Sequence, residues 1–92
     1  MDYKLLYHPD VFKEDIRRIP ANIKRRIRKA IETRLLKDPI LFGQPLRQSL
    51  KGHRKLRVGD WRVIYRVEHS NVIISMIGNR KDVYQEVFKR TG

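Results

Sequence analysis

The sequence predicts an α+β fold: a helical hairpin packed on a small, mostly antiparallel sheet, with elements in the order β-α-α-β-β-β-α. Three observations lead there. Residues 21–37 repeat apolar side chains at helical spacing, residues 53–67 alternate them at strand spacing, and short turn signals separate the runs. A chain of 92 residues is expected to form one domain over 1–92, with room for one thin core.

Each element follows from its residues. YKLLY at 3–7 is a short apolar run and is expected as a strand. Pro9 cannot donate to a ladder and Asp10 is a good N-cap, so the strand ends and a helix begins. Phe12, Ile16 and Ile19 recur at helical spacing and make 11–18 a short amphipathic helix. Pro20 breaks it and suits the first turn of the next helix. Ile23, Ile27, Ala30, Ile31 and Leu35 then form a stripe, and Asp38-Pro39 stops this second helix near 37. So short a link between two helices predicts an antiparallel hairpin. Residues 39–49, with Gly43 and Pro45, are expected as an irregular connection. Strands follow at 53–58, 61–67 and 72–77, turned by Gly59-Asp60 and His69-Ser70-Asn71. The last strand is nearly all apolar, as expected of one covered on both sides. Val83, Val87 and Phe88 line a C-terminal helix over 83–90.

The charge balance is strongly basic. Twenty-two Lys and Arg against ten Asp and Glu give +12, and both halves of the chain share the excess. The expected partners are nucleic acid, an anionic membrane or an acidic protein, with nucleic acid favoured. No apolar run approaches the ~20 residues that span a bilayer, and the N-terminus lacks the pattern of a signal peptide. With no cysteine there is no disulfide and no thiolate zinc site, which suits a cytoplasmic protein.

Several chemistries are set aside by spacing. His8, His53 and His69 make no ligand pair, so no metal and no cofactor is expected. No acidic pair is set for two-carboxylate hydrolysis, and the glycines make no phosphate-cradling loop. Two basic groups remain. Lys24, Arg25, Arg26, Arg28 and Lys29 on the second helix are either a solvated face or a contact for RNA phosphates or an acidic partner. Lys55, Arg57, Arg62, Arg66, Arg80 and Lys81 occupy neighbouring strands or their ends. His53, Lys55 and Arg57 share one face of their strand, and Arg62 and Arg66 one face of the next. If these faces coincide, the repulsion calls for an anionic ligand, and Tyr84 at the edge is suited to stack a base.

These residues carry a family pattern. LKG at 50–52, KLR at 55–57, WRVIYRV at 61–67 and IGNRKDVY at 77–84 follow a helical hairpin in a short basic chain. In order and spacing the chain resembles the RelE/ParE superfamily of bacterial and archaeal toxins over nearly its full length. The resemblance implies a RelE-type toxin that enters the ribosomal A site and cuts the mRNA there, neutralised by an acidic antitoxin from the same operon. It carries the family's catalytic positions onto Lys55, Arg62, Arg80 and Tyr84. Arg57, Arg66, Lys81, Lys51 and Arg54 are expected to hold RNA. Two positions depart from the pattern: His53 stands where a second family lysine is usual, and Asn79 where relatives often carry His or Lys. The other branch, gyrase-poisoning ParE, usually lacks the full cationic set. A non-catalytic nucleic-acid-binding module is the third reading.

RNA needs no metal to be cut, because its own 2′-OH can attack the adjacent phosphorus. Arg62 and Arg80 suit the charge of the phosphorane, since a guanidinium fork matches phosphate oxygens and stays protonated. Lys55 is then the better candidate for a general base. His53 competes with it, an unperturbed pKa of about 6.5 being suited to proton transfer.

Overall fold

The computed structural model describes residues 3–91. Its strands are β1 (Lys4–Tyr7), β2 (Gln44–Pro45), β3 (Arg54–Val58), β4 (Trp61–Glu68) and β5 (Asn71–Asn79). They form one sheet in the order β1-β5-β4-β3-β2. β1 runs parallel to β5 and every other pairing is antiparallel. The β3–β4 and β4–β5 connections are two-residue hairpins, opened by Gly59 and His69 at positive φ. A positive φ at the first loop position matches the twist of the flanking strands.

The two faces of the sheet are covered differently. Ile27, Ala30, Ile31 and Leu35 of the hairpin pack with Leu56, Val58, Val63, Tyr65, Val72, Ile74 and Ile77 on one face. On the other, Val83 and Val87 pack on Ile64 and Met76, flanked by Leu46, Leu50 and Tyr84. β5 is therefore sandwiched, which is why its sequence lacks alternation. The principal hairpin helix is α1 (Ala21–Ala30), continued by a wider turn over Ile31–Leu35. Leu36 N–H reaches back five residues to the Ile31 carbonyl at 3.0 Å. The last helix is α3 (Val83–Thr91). Gly78 lets it sit close, since a side chain there would press on Val83.

Three expectations are corrected. Residues 39–49 are not irregular: α2 (Pro39–Phe42) starts on Asp38, whose carboxylate accepts the Leu41 N–H at 3.0 Å. β2 follows, and then a tight turn at Gln48–Leu50. Over 11–19 the buried residues are Val11, Asp15 and Ile19, while Phe12 is 58% exposed. Phe88, expected to line α3, is also largely exposed.

Asp15 explains the rotation of that first helix. It is 1% exposed and accepts the Ile77 N–H at 2.9 Å. Arg90 of α3 donates to both its oxygens, at 2.8 and 2.9 Å, and also to the Ser75 carbonyl at 3.1 Å. β1 stops at Tyr7↔Ile74, and a bulge leaves Ser75 opposite no residue of β4. The outer edge of β5 is therefore unpaired beyond Ile74, and its polar groups need partners. The Asp15–Arg90 pair supplies them from the two opposite faces of the sheet.

Candidate active site

Register decides which cations meet. β3 pairs with β4 as Lys55↔Ile64 and Arg57↔Arg62. Residues directly opposite on an antiparallel ladder share a face, so Lys55, Arg57 and Arg62 lie together on the face that carries Ile64 and Met76. α3 covers only part of that face, and the remainder is open. His53 and Arg66 belong to the same face by alternation.

The open part is a cleft of about 450 Å³ at the edge of β3. β2 pairs only with Arg54 and Lys55, so Leu56 to Val58 have no outer neighbour. Lys55, Arg57 and Arg62 line the cleft with Arg34, Phe42 and Gln44, and no acidic residue is among them. The Lys55 ammonium stands 5.6 Å from the centroid of the Tyr84 ring, a cation–π contact. Arg62 donates to the Gly59 and Trp61 carbonyls, both at 2.9 Å, and is held at the β3–β4 turn. Arg80 docks on the same turn. Its backbone N–H meets the Asp60 carbonyl at 2.9 Å, and its guanidinium lies 3.9 Å from the Asp60 carboxylate. That ion pair is exposed and weak, so it leaves Arg80 available to a ligand.

The other expected residues sort themselves by position. Lys81 is exposed in the turn after β5, its N–H bonded to the Asn79 side chain. Arg66 shares the face but pairs with Glu68 at 3.2 Å, toward the opposite end of β4. Lys51 is exposed in the turn before β3, off the sheet. Arg54 lies on the other face, opposite Tyr65. Its guanidinium donates to the Ile40 and Gly43 carbonyls at 2.7 and 2.9 Å, which gives it a structural post away from the cleft. His53 is half-buried, with both ring nitrogens shut off from solvent and unpartnered. Burial, then the charge of Arg66, pushes its imidazole below the ordinary value, and the nearby Leu50 carbonyl opposes this without a hydrogen bond. A neutral, enclosed ring is poorly placed as a proton carrier. Arg34 was not foreseen. It falls just off the apolar stripe of the hairpin, and only the fold carries it to the β3 edge.

Among the described residues no cluster of three or more His, Cys, Asp or Glu is placed to hold a metal ion, and no helix is long and apolar enough to cross a membrane.

The model of the family described as ParE toxin of the type II toxin–antitoxin system parDE matches residues 5–84. The chain belongs to the RelE/ParE superfamily of type II toxins. Among members of this superfamily it is 31% identical to Toxin RelG of Mycobacterium tuberculosis, over 79% of this chain and 86% of that one. It is 34% identical to Toxin RelE of the same organism, over 77% of this chain and 75% of that one. The toxin–antitoxin complex RelBE2 from M. tuberculosis superposes with a TM-score of 0.79 at 26% identity, covering 87% of this chain and all of that one. A free RelE mutant from E. coli superposes over the full length of both chains with a TM-score of 0.75 at 21% identity, a likeness of fold. The RelE/ParE toxin described here is thus of RelE type by its relatives.

Proposed function

We propose that this toxin is a ribosome-dependent endoribonuclease that cuts mRNA in the A site by attack of the substrate's own 2′-OH. The observation that carries the reading is the Arg57–Arg62 pair facing across β3 and β4, beside Lys55 on Tyr84, in a cleft lined by no carboxylate. Like charges directly opposite on a ladder repel, and an anion with several oxygens between them removes that cost. In the reaction Arg62 and Arg80 hold the phosphate oxygens as the phosphorane forms. Arginines stay protonated, so proton transfer falls to Lys55 and Tyr84. Lys55, acting as the free amine after giving up one proton to solvent, takes the proton of the 2′-OH and becomes the ammonium. The 2′ oxygen bonds to phosphorus, and the 5′ oxygen leaves with a proton from Tyr84. The products are a 2′,3′-cyclic phosphate and a 5′-hydroxyl. His53, Arg54 and Lys51 have no part in this reading.

The partners follow. Solved relatives include RelE bound to RelB from Methanococcus jannaschii, which supports a cognate acidic antitoxin here. The cytoplasm is where such a toxin meets ribosomes.

Primer extension on an mRNA held in stalled ribosomes tests this. Wild type is expected to cut within the A-site codon, and Arg62→Ala or Arg80→Ala to cut on the order of 100-fold more slowly. Absence of a cut by folded wild type sinks the reading. The ParE description of the matched family supports a second one, gyrase poisoning. Loss of gyrase supercoiling with intact translation identifies it.

A further inference from the structure

The cleft does not end at Arg57. A second depression of about 290 Å³ runs between the hairpin and the free edge of β3, lined by Arg26, Lys29, Thr33, Arg34, Arg57, Val58 and Gly59. It shares Arg34 and Arg57 with the cleft, so the two depressions adjoin along the edge of β3. Its walls contain no acidic residue, and Arg26, Lys29 and Arg34 make no salt bridge among the described residues. At the far end the Arg26 guanidinium lies over Gly59, and the Gly59 carbonyl in turn holds Arg62. The hairpin cations are spaced to follow a chain. Arg26 and Arg34 are eight residues apart, about 12 Å at ~1.5 Å per residue, and Lys29 falls between them.

We propose that this groove carries the backbone of the substrate RNA on one side of the cut, with Arg26, Lys29 and Arg34 holding about two phosphates beyond the scissile one. The inference rests on the nuclease reading for the identity of the strand. Three features favour a single RNA strand over other anions. The groove adjoins the candidate active site at Arg34 and Arg57, its charge is of one sign, and an exposed strand edge with long cationic side chains can follow a flexible phosphodiester without reading bases. Arg26 and Lys29 are positioning residues, since they line the second depression alone, and Arg34 stands where it meets the cleft.

The test is binding, kept apart from cleavage. Fluorescence anisotropy at several salt concentrations is measured with 2′-O-methyl oligoribonucleotides, which lack the attacking hydroxyl. A four-nucleotide probe is compared with probes extended by two nucleotides at the 5′ or the 3′ end. Wild type is expected to gain affinity from extension at one end only, with the salt slope steepening by about 1.4, roughly 0.7 per phosphate. Arg26→Ala/Lys29→Ala, which touches only the second depression, is expected to lose that gain and still bind the four-nucleotide probe like wild type. Arg17→Ala/Arg25→Ala removes the same charge from exposed positions outside the groove and is expected to keep the gain. Equal loss in both variants, or no end-specific gain in wild type, overturns the proposal. So does an oligo-glutamate peptide whose binding depends on Arg26 and Lys29 when RNA extension does not, since that outcome assigns the groove to an acidic protein segment. An intact length effect in a protein that cuts nothing on ribosomes overturns the nuclease reading and leaves the groove standing.

Discussion

Arg57 and Arg62 face each other across a ladder, where like charges cost stability. Replacing Arg57 by Ser is therefore expected to raise the melting temperature slightly while weakening RNA binding, and a thermal scan beside an anisotropy titration reads both. Tyr84 separates two roles by a graded pair of variants. Tyr84→Phe keeps the ring beneath Lys55 and loses the phenol. It is expected to bind RNA like wild type and to cut slowly, whereas Tyr84→Ala loses both. Lys55→Arg keeps the charge and removes a group able to release its proton, so binding should survive and turnover fall. His53 gives a pH signature. Its folded-state pKa lies below the unfolded value, so the unfolded chain binds the proton more readily and stability rises with pH. Wild type should thus lose melting temperature as pH falls below about 6.5, with the loss complete once the folded value is passed. His53→Gln should flatten that part of the profile. Parity along β3 made these assignments legible in advance. It grouped His53, Lys55 and Arg57, and it also set Arg54 beside Leu56 and Val58. A cation on the buried side makes sense only once the Ile40 and Gly43 carbonyls are seen to receive it.

At the scale of elements, two knots hold what repetition alone does not. One joins α2 to the sheet. The Tyr65 hydroxyl donates to the Pro39 carbonyl at 2.6 Å, and a methyl group added at Gly43 would collide with it. Gly43→Ala is expected to destabilise by about 1–3 kcal/mol, since the buried carbonyl loses its donor, and chemical denaturation measures the loss. The other knot is Asp15–Arg90. Arg90 also bridges Glu14 at 3.2 Å, whereas its removal leaves the buried Asp15 carboxylate without a counter-charge, a loss of about 3–5 kcal/mol, so Arg90→Ala should fall well outside the range of surface substitutions. The long hairpin helix and the strands β3 and β4 were readable because their apolar periods repeat over several turns or pleats, and β5 because it is a nearly all-apolar run between turn signals. α2 and β2, four and two residues long, repeat nothing. Asp15 left one local mark, an acidic residue four after Val11 and four before Ile19. Its partner lies 75 positions away, beyond the reach of any periodicity.

The whole molecule carries +12 and a groove of one sign. Association with ribosomes should weaken steeply with salt. Cleavage of free RNA should be negligible beside cleavage on the ribosome, because so small a site relies on another body to hold the substrate in line. Comparable rates with and without ribosomes would contradict this. The wiring of the sheet also orders events in time. Lys4 pairs with Asn71, and beyond Ile74 the edge of β5 is closed by Asp15 and Arg90 together. During synthesis the first strand has no neighbour until β5 is made, and the last clamp waits for residue 90 to emerge. A nascent chain that has made only the hairpin therefore has no finished sheet. On the proposed function the cleft is not yet built at that stage, and a partner that grips the early hairpin has that interval in which to bind.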